Sequence, residues 1–165
     1  MFLGFFTTSF LVGTLTILNE EESQSIFNEF DQAITEADSL DIFLNNLYVG
    51  LPMFVPGVGP AWGLYSGWST GVSFSAIISM SPELTNFQPL DIFYASPFGF
   101  LELIAYSLGM SRGAFLIFAF LQKSSKKSLV IWSSIEISIA IGLLLIGGLI
   151  EPSLIESNPL TIEDL

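Results

Sequence analysis

The feature that most constrains the fold of this chain is a stretch of 39 consecutive residues, 42–80, without a charged side chain. A helix that crosses a bilayer needs about 20 apolar residues, so this stretch is too long for one crossing and just long enough for two. Pro52, Pro56 and Pro60 fall in its middle, and proline stops a helix because it lacks a backbone donor. The stretch therefore predicts a helical hairpin that turns at residues 56–60.

Three other apolar stretches are long enough to cross a bilayer. Only 12% of the chain is charged, against roughly 25% in soluble domains. The first stretch has no basic n-region and no small-residue cleavage site, which favours an anchor over the alternative of a cleaved signal peptide. We expect an all-α, polytopic membrane bundle that forms a single domain over 1–165, with about five spans at 2–18, 42–56, 61–80, 98–121 and 129–150.

The chain has no cysteine and no histidine. Disulfide frameworks, thiol catalysis, Cys/His zinc sites and Ser-His triads are therefore excluded. We expect no cofactor and no metal site. The net charge of −12 argues against nucleic-acid binding, which depends on Lys and Arg, and against docking on anionic lipid head groups.

The charges outside the spans predict an orientation in the cell membrane. Three lysines, at 123, 126 and 127, lie between the fourth and fifth spans, and basic loops stay in the cytoplasm. Five spans then put the N-terminus in the cytoplasm. The C-terminus and the acidic segments 19–41, 81–97 and 151–165 fall outside.

The first acidic segment predicts an amphipathic helix over about 21–40. Its apolar residues recur at near-helical spacing: Ile26, Phe27, Phe30, Ile34 and Ala37. The helix either rests on the mouth of its own bundle with its acidic face in water or forms a docking surface for an external partner. A calcium site is a third interpretation, but the carboxylates lack EF-hand spacing and its glycine.

Three ionisable residues fall within the spans, where such groups are rare and usually paired. Arg112 lies nine residues from the inner end of span four, and Glu136 lies seven residues from the inner start of span five. Their depths differ by about 3 Å at helical rise. We predict a buried Arg112–Glu136 ion pair that fixes helix packing, with a proton or ion relay as the alternative.

Glu102, the third ionisable residue, lies four residues inside the outer end of span four. Asn45 and Asn46 lie at the same depth in span two, and an amide can donate to a carboxylate. We predict a polar cluster of Asn45 or Asn46 with Glu102. It serves either as a packing device or, beside the proline and glycine breaks, as a ligand or ion pocket.

Span three contains glycines at intervals of four residues, at Gly63, Gly67 and Gly71. Rows of small residues allow helices to approach closely. We expect this row to face another helix, and Gly67→Leu to disrupt packing. Pro97 and Gly99, at the start of span four, are also predicted to be helix-packing residues.

Three motifs follow one another along the chain: IFLNN at 42–46, SGWSTG at 66–71 and PFGFLEL at 97–103. Their order resembles the stage II sporulation protein M family of bacterial and archaeal membrane proteins. That family has an F-x-N-N start, a glycine-rich hairpin, an N-G-x-x-x-G step and a P-H-G-x-x-E-L motif. The likeness extends in layout over 1–121 and is specific over 42–106. Ser66 replaces the family's Asn, and Phe98 replaces its His. The matching positions are Asn45, Asn46, Gly67, Gly71, Pro97, Gly99, Glu102 and Leu103.

The resemblance implies a membrane scaffold, because the family's name-giving member works in a complex with two peptidoglycan hydrolases. We therefore expect a non-enzymatic integral membrane scaffold or accessory subunit, with the lipid bilayer and membrane proteins or further copies of itself as partners. The main alternative is a small channel or transporter with a polar site at Asn45, Asn46 and Glu102. An intramembrane enzyme would have to use Glu102, Asp91 or a serine, and no protease or hydrolase motif is present.

Overall fold

The computed structural model describes residues 1–36, 38–81, 88–94, 96–122 and 125–157, without the side chains of 33–36, 92 and 152–157. These residues form helices, and no strand occurs among them. The predicted all-helical class is thus confirmed for the described residues. The helices are α1 (Phe2–Thr14), α2 (Glu20–Glu36), α3 (Ser39–Gly50), a 3-10 helix (Leu51–Phe54), α4 (Gly59–Met80), α5 (Asp91–Tyr94), α6 (Pro97–Leu121) and α7 (Lys126–Ser157).

Two helices in the described part of the chain are long and apolar enough to cross a membrane, α6 and the Lys126–Glu151 portion of α7. Helix α1 is apolar, but its 13 residues give about 20 Å at helical rise, against a hydrocarbon core of about 30 Å. Helix α4 has 22 residues, but its glycines and serines make it less apolar. Within the described ranges, two helices are thus both long and apolar enough to cross a membrane, where the sequence predicts five spans.

The first predicted span, 2–18, is helical only as far as Thr14 because a new helix is capped shortly afterwards. Asn19 Oδ1 accepts from the Glu22 amide, and Glu22 Oε2 accepts from the Asn19 amide, which forms a capping box. The chain between the two helices is attached to α4, since Ser75 Oγ donates to the Thr16 carbonyl. The apolar residues 15–18 therefore connect two helices.

The predicted amphipathic helix, about 21–40, also divides. Helix α2 ends at Glu36, and Asp38 caps α3 by accepting from the Leu40 and Asp41 amides. Ala37 and the side chain of Ile34, two members of the predicted stripe, lie outside the described residues. Of the others, Ile26 and Phe27 are half-buried and Phe30 is 41% exposed.

The hairpin turn lies at 55–58, which overlaps the predicted 56–60 but begins and ends one to two residues earlier. Helix α3 ends at Gly50 and continues as the 3-10 helix, whose first turn contains Pro52. Gly57 has a positive φ of 80°, a conformation that glycine adopts without a steric penalty. Helix α4 then begins at Gly59, where a Cβ would overlap the carbonyl oxygen of Met53.

Helices α1 and α4 run parallel and touch through glycine. A Cβ on Gly67 would lie 2.9 Å from the Phe6 carbonyl oxygen, and one on Gly71 would lie 3.0 Å from the Cα of Gly13. Phe10, on the same face of α1, is fully buried. The two backbones therefore approach as closely as small residues permit.

The directions of the other long helices follow from their contacts. Asn46 of α3 contacts Glu102 of α6, and Gly50 lies four residues further on beside Tyr106, so α3 and α6 run parallel. Helix α7 runs opposite to both, since Gly148 lies beside Phe43 whereas the earlier Leu144 lies beside Gly50. Helix α6 is central, because it contacts α1, α3, α4, α5 and α7 as well as the 3-10 helix.

Candidate functional site: two polar contacts in the helical bundle

The first polar contact joins α6 to α7 through Arg112 and Glu136. The guanidinium donates to both carboxylate oxygens, from Nε to Oε2 at 2.5 Å and from Nη2 to Oε1. This bidentate arrangement matches the planar fork of arginine to a carboxylate. Arg112 is buried, and its Cζ lies 5.2 Å from the ring centroid of Phe115. The structure thus contains the contact that the shared depth predicts.

The second polar contact joins α3 to α6. Asn46 Nδ2 donates to Glu102 Oε1 at 2.5 Å, and the Tyr106 hydroxyl donates to Asn46 Oδ1 at 3.2 Å. Asn46 and Tyr106 are both buried. One asparagine side chain therefore uses its donor and its acceptor to connect two residues of α6.

Asn45 lies outside this cluster. Its side chain is exposed, whereas that of Asn46 is 8% exposed. Adjacent residues on a helix point about 100° apart, so only one of the two can face α6. Shared depth alone cannot decide which asparagine does so, because that depends on the rotation of α3.

Tyr106 and Glu151 belong to the cluster and escaped prediction. Tyr106 lies four residues after Glu102, on the same face of α6, and this spacing could have identified it. Glu151 was assigned to the acidic tail, but α7 continues past it to Ser157. It lies close enough to Glu102 for the two carboxylates to interact electrostatically. Gly147, one turn earlier, faces the same region, since its Cβ would lie 3.9 Å from Glu102 Cγ.

The two polar contacts differ in charge. The first pairs one cation with one carboxylate, whereas the second places two carboxylates near neutral partners. The chain has four basic residues: Arg112 is paired with Glu136, and the other three fall within 123–127, next to the start of α7. Glu151 lies 25 residues beyond Lys126, about 37 Å along the helix. Among the residues that the structure describes, no basic side chain is thus available to Glu102 or Glu151.

Three of the predicted packing residues, the glycines of α4, lie at helix contacts, whereas Pro97 is exposed. Gly63 faces α6, where its Cβ would lie 2.5 Å from Met110 Sδ, while Gly67 and Gly71 face α1. The glycine row thus faces two helices. Pro97 occupies the first turn of α6, and the Gly99 amide donates to the capping hydroxyl of Ser96 at 3.1 Å. Gly99 is buried.

Helix α2 packs against α4 with Ser23 buried. Its first-turn glutamates at 20–22, and Glu29 and Asp31 further along, are exposed. This placement matches the interpretation of an amphipathic helix resting on its own bundle. The acidic segments 81–97 and 151–165 lie partly outside the described residues.

Comparisons of this chain with protein families, with curated proteins and with solved structures find no match.

Proposed function

We propose that this chain is a non-enzymatic, multi-pass membrane protein that acts as a scaffold or accessory subunit of a membrane complex. In this proposal the five apolar segments cross the cell membrane in alternate directions. The N-terminus and the segment between α6 and α7 lie in the cytoplasm, while α2 and the C-terminus lie outside.

The alternating helix directions are the observation that carries this proposal. Helices α1, α4 and α7 run one way, and α3 and α6 run the other, as successive crossings require. Helix α3 with its 3-10 extension has a combined length of about 26 Å, close to the hydrocarbon thickness. Helix α1 is shorter than the other proposed spans. One of its faces packs closely on α4 and therefore contacts protein instead of lipid.

The chemistry of the interior favours a scaffold over an enzyme. Arg112 is engaged by a carboxylate, and Asn46 is engaged at both ends of its amide. Both contacts join neighbouring helices, and interhelical polar contacts of this kind stabilise packing in membrane proteins. The resemblance to the stage II sporulation protein M family supports the same proposal through Asn46, Gly67 and Glu102, three of its matching positions.

A native pull-down tests the scaffold proposal. Membranes carrying the C-terminally tagged chain are solubilised gently, and the purified material is sized on a native gel and identified by mass spectrometry. We expect a reproducible stoichiometric membrane protein partner. A protein that purifies alone as a single small species would contradict the proposal.

The second candidate is a small channel or transporter, favoured by the uncompensated pair of Glu102 and Glu151. Carboxylates without a cationic partner in a membrane protein frequently mark ion pathways. Proteoliposomes of wild-type protein would then show cation or proton flux that Glu102→Gln abolishes. Equal leakage from wild-type, Glu102→Gln and empty liposomes would exclude this candidate.

A further inference from the structure

An open groove of about 350 Å³ lies along the seam between α6 and α7, at the end where the two helices are joined. One part of its lining is polar and consists of Ser125 and Ser128, at the start of α7, and of Arg112. The other part is apolar, with Phe115 from α6 and Leu129 and Trp132 from α7. Phe115 and Trp132 are both more than half exposed.

The charge around the groove is positive although the chain is strongly acidic. Lys126 and Lys127 belong to the same first turn of α7 and are exposed. Arg112 and Glu136 balance each other, and within the described ranges no carboxylate forms an ion pair with either lysine. The net charge of −12 argues against binding of anionic head groups only if the charges are evenly spread. They are segregated, so the net value does not describe this end of the molecule.

We propose that this groove binds an anionic phospholipid. The phosphate would lie at the polar end of the groove, against the two serines. Lys126 and Lys127, which belong to the same helical turn but lie outside the groove's lining, would add positive charge beside it. An acyl chain would lie along the exposed rings of Phe115 and Trp132. The site rests on the proposed membrane insertion but is independent of any scaffold or transport role.

A membrane lipid fits this groove better than a free phosphate ion does. Phosphate alone would use the polar end and leave the apolar wall uncovered, whereas a phospholipid matches both ends. Clusters of basic residues between or beside membrane helices bind acidic head groups in this way. Each lysine near the surface contributes about 1 kcal/mol, or about a fivefold preference.

Fluorescence quenching of Trp132 by brominated lipids tests the proposal. The full chain is reconstituted into phosphatidylcholine vesicles that contain either brominated phosphatidylglycerol or brominated phosphatidylcholine. Subtraction of the Trp132→Phe signal isolates Trp132 from Trp62 and Trp68 on α4. We expect Trp132 to be quenched preferentially by the anionic lipid, and the two α4 tryptophans to show no such preference.

Substitution of the two lysines tests whether the preference of Trp132 for the anionic lipid arises at the groove. We expect Lys126→Gln and Lys127→Gln each to lower it about fivefold. A matched control, Gln24→Glu with Gln32→Glu, changes the net charge as much as both lysine substitutions together do. It does so at exposed positions on α2, and should leave the preference intact.

Three results would overturn the proposal: equal quenching by the two lipids, a preference that survives loss of both lysines, or its removal by inorganic phosphate but not by chloride at the same ionic strength. Flotation of the vesicles on a density gradient separates this proposal from that of membrane insertion. Protein that fails to float contradicts insertion and the lipid site together. Protein that floats without lipid preference contradicts the lipid site alone.

Discussion

Helices α6 and α7 are both membrane-length and apolar, but they occupy different places in the bundle. In α6, 44% of the most apolar 18-residue window is buried by other parts of the protein, whereas in α7 the share is 17%. Helix α6 is contacted from several sides, whereas α7 packs mainly on α6 and α3. Similar composition therefore produces a central helix and a peripheral one.

The difference between the two helices follows from where small and polar residues lie. Helix α6 carries Gly109 and Gly113, which meet the 3-10 helix so closely that a Cβ would approach Met53 to 2.8 and 2.5 Å, respectively. A Cβ on Gly142 of α7 would meet no atom of a neighbouring element within 4 Å. Helix α7 is instead held by Arg112–Glu136, by two glycines against α3 and α6, and by Leu144 in the core.

The largest effect is expected from Arg112→Leu, which removes the charged contact between the two helices. Glu136 would be left as a partly buried carboxylate without its cation, and breaking such a pair typically costs about 3–5 kcal/mol. Thermal unfolding in detergent measures the loss. The double variant Arg112→Leu with Glu136→Leu should recover most of the stability, since it leaves no unpaired charge; a double variant as unstable as the single one would contradict this explanation.

The next effect is expected from a matched pair of glycine substitutions. Gly113→Leu must displace the Met53 and Val55 carbonyls and should cost about 3 kcal/mol, at the upper end for overpacking. Gly142→Leu places the same side chain in open space and should change the midpoint of thermal unfolding little. Similar losses in both variants would show that α7 is as closely surrounded as α6.

A smaller effect is expected from Asn46→Leu, with Asn45→Leu as its control. The first substitution removes the hydrogen bonds to Glu102 and Tyr106, and interhelical hydrogen bonds of this kind are worth about 1 kcal/mol in membranes. The second changes an exposed side chain and should be close to neutral. Equal destabilisation of the two variants would contradict the rotation of α3 described above.

The smallest effect is expected from Ser134→Leu on the exposed face of α7. Its neighbours on this face, Ile131, Ile135 and Ser138 among them, are exposed. A surface substitution of this kind usually stays within about 0.5 kcal/mol. A loss of several kcal/mol, or a change in oligomeric state on native gels, would show that this face is covered by another chain.

The sequence predicted most where chain connectivity limits the possibilities. A loop of a few residues makes α6 and α7 antiparallel neighbours, so the depths of Arg112 and Glu136 were sufficient to place them together. Asn45 and Asn46 share a depth, and the choice between them required the rotation of α3. The depth argument therefore locates a polar contact along a helix but not around it.

Helix ends were predicted less well because they depend on local caps. Two capping boxes, beginning at Asn19 and Asp38, divided stretches that hydropathy alone treated as continuous. Glu151 was missed for the opposite reason, since the fifth span was predicted to end at 150 and α7 continues to Ser157. Hydropathy thus identifies the apolar segments, whereas side-chain hydrogen bonds set their boundaries.

The absence of native cysteine permits a direct test of the central claim, that the bundle crosses the membrane with its basic end in the cytoplasm. Ser25→Cys on α2 and Ser125→Cys before α7 are conservative changes at exposed positions. They are treated with a membrane-impermeant maleimide in intact cells and again after permeabilisation. We predict labelling of Ser25→Cys in intact cells and of Ser125→Cys only after permeabilisation; equal labelling of both in intact cells, or the reverse pattern, would contradict the account.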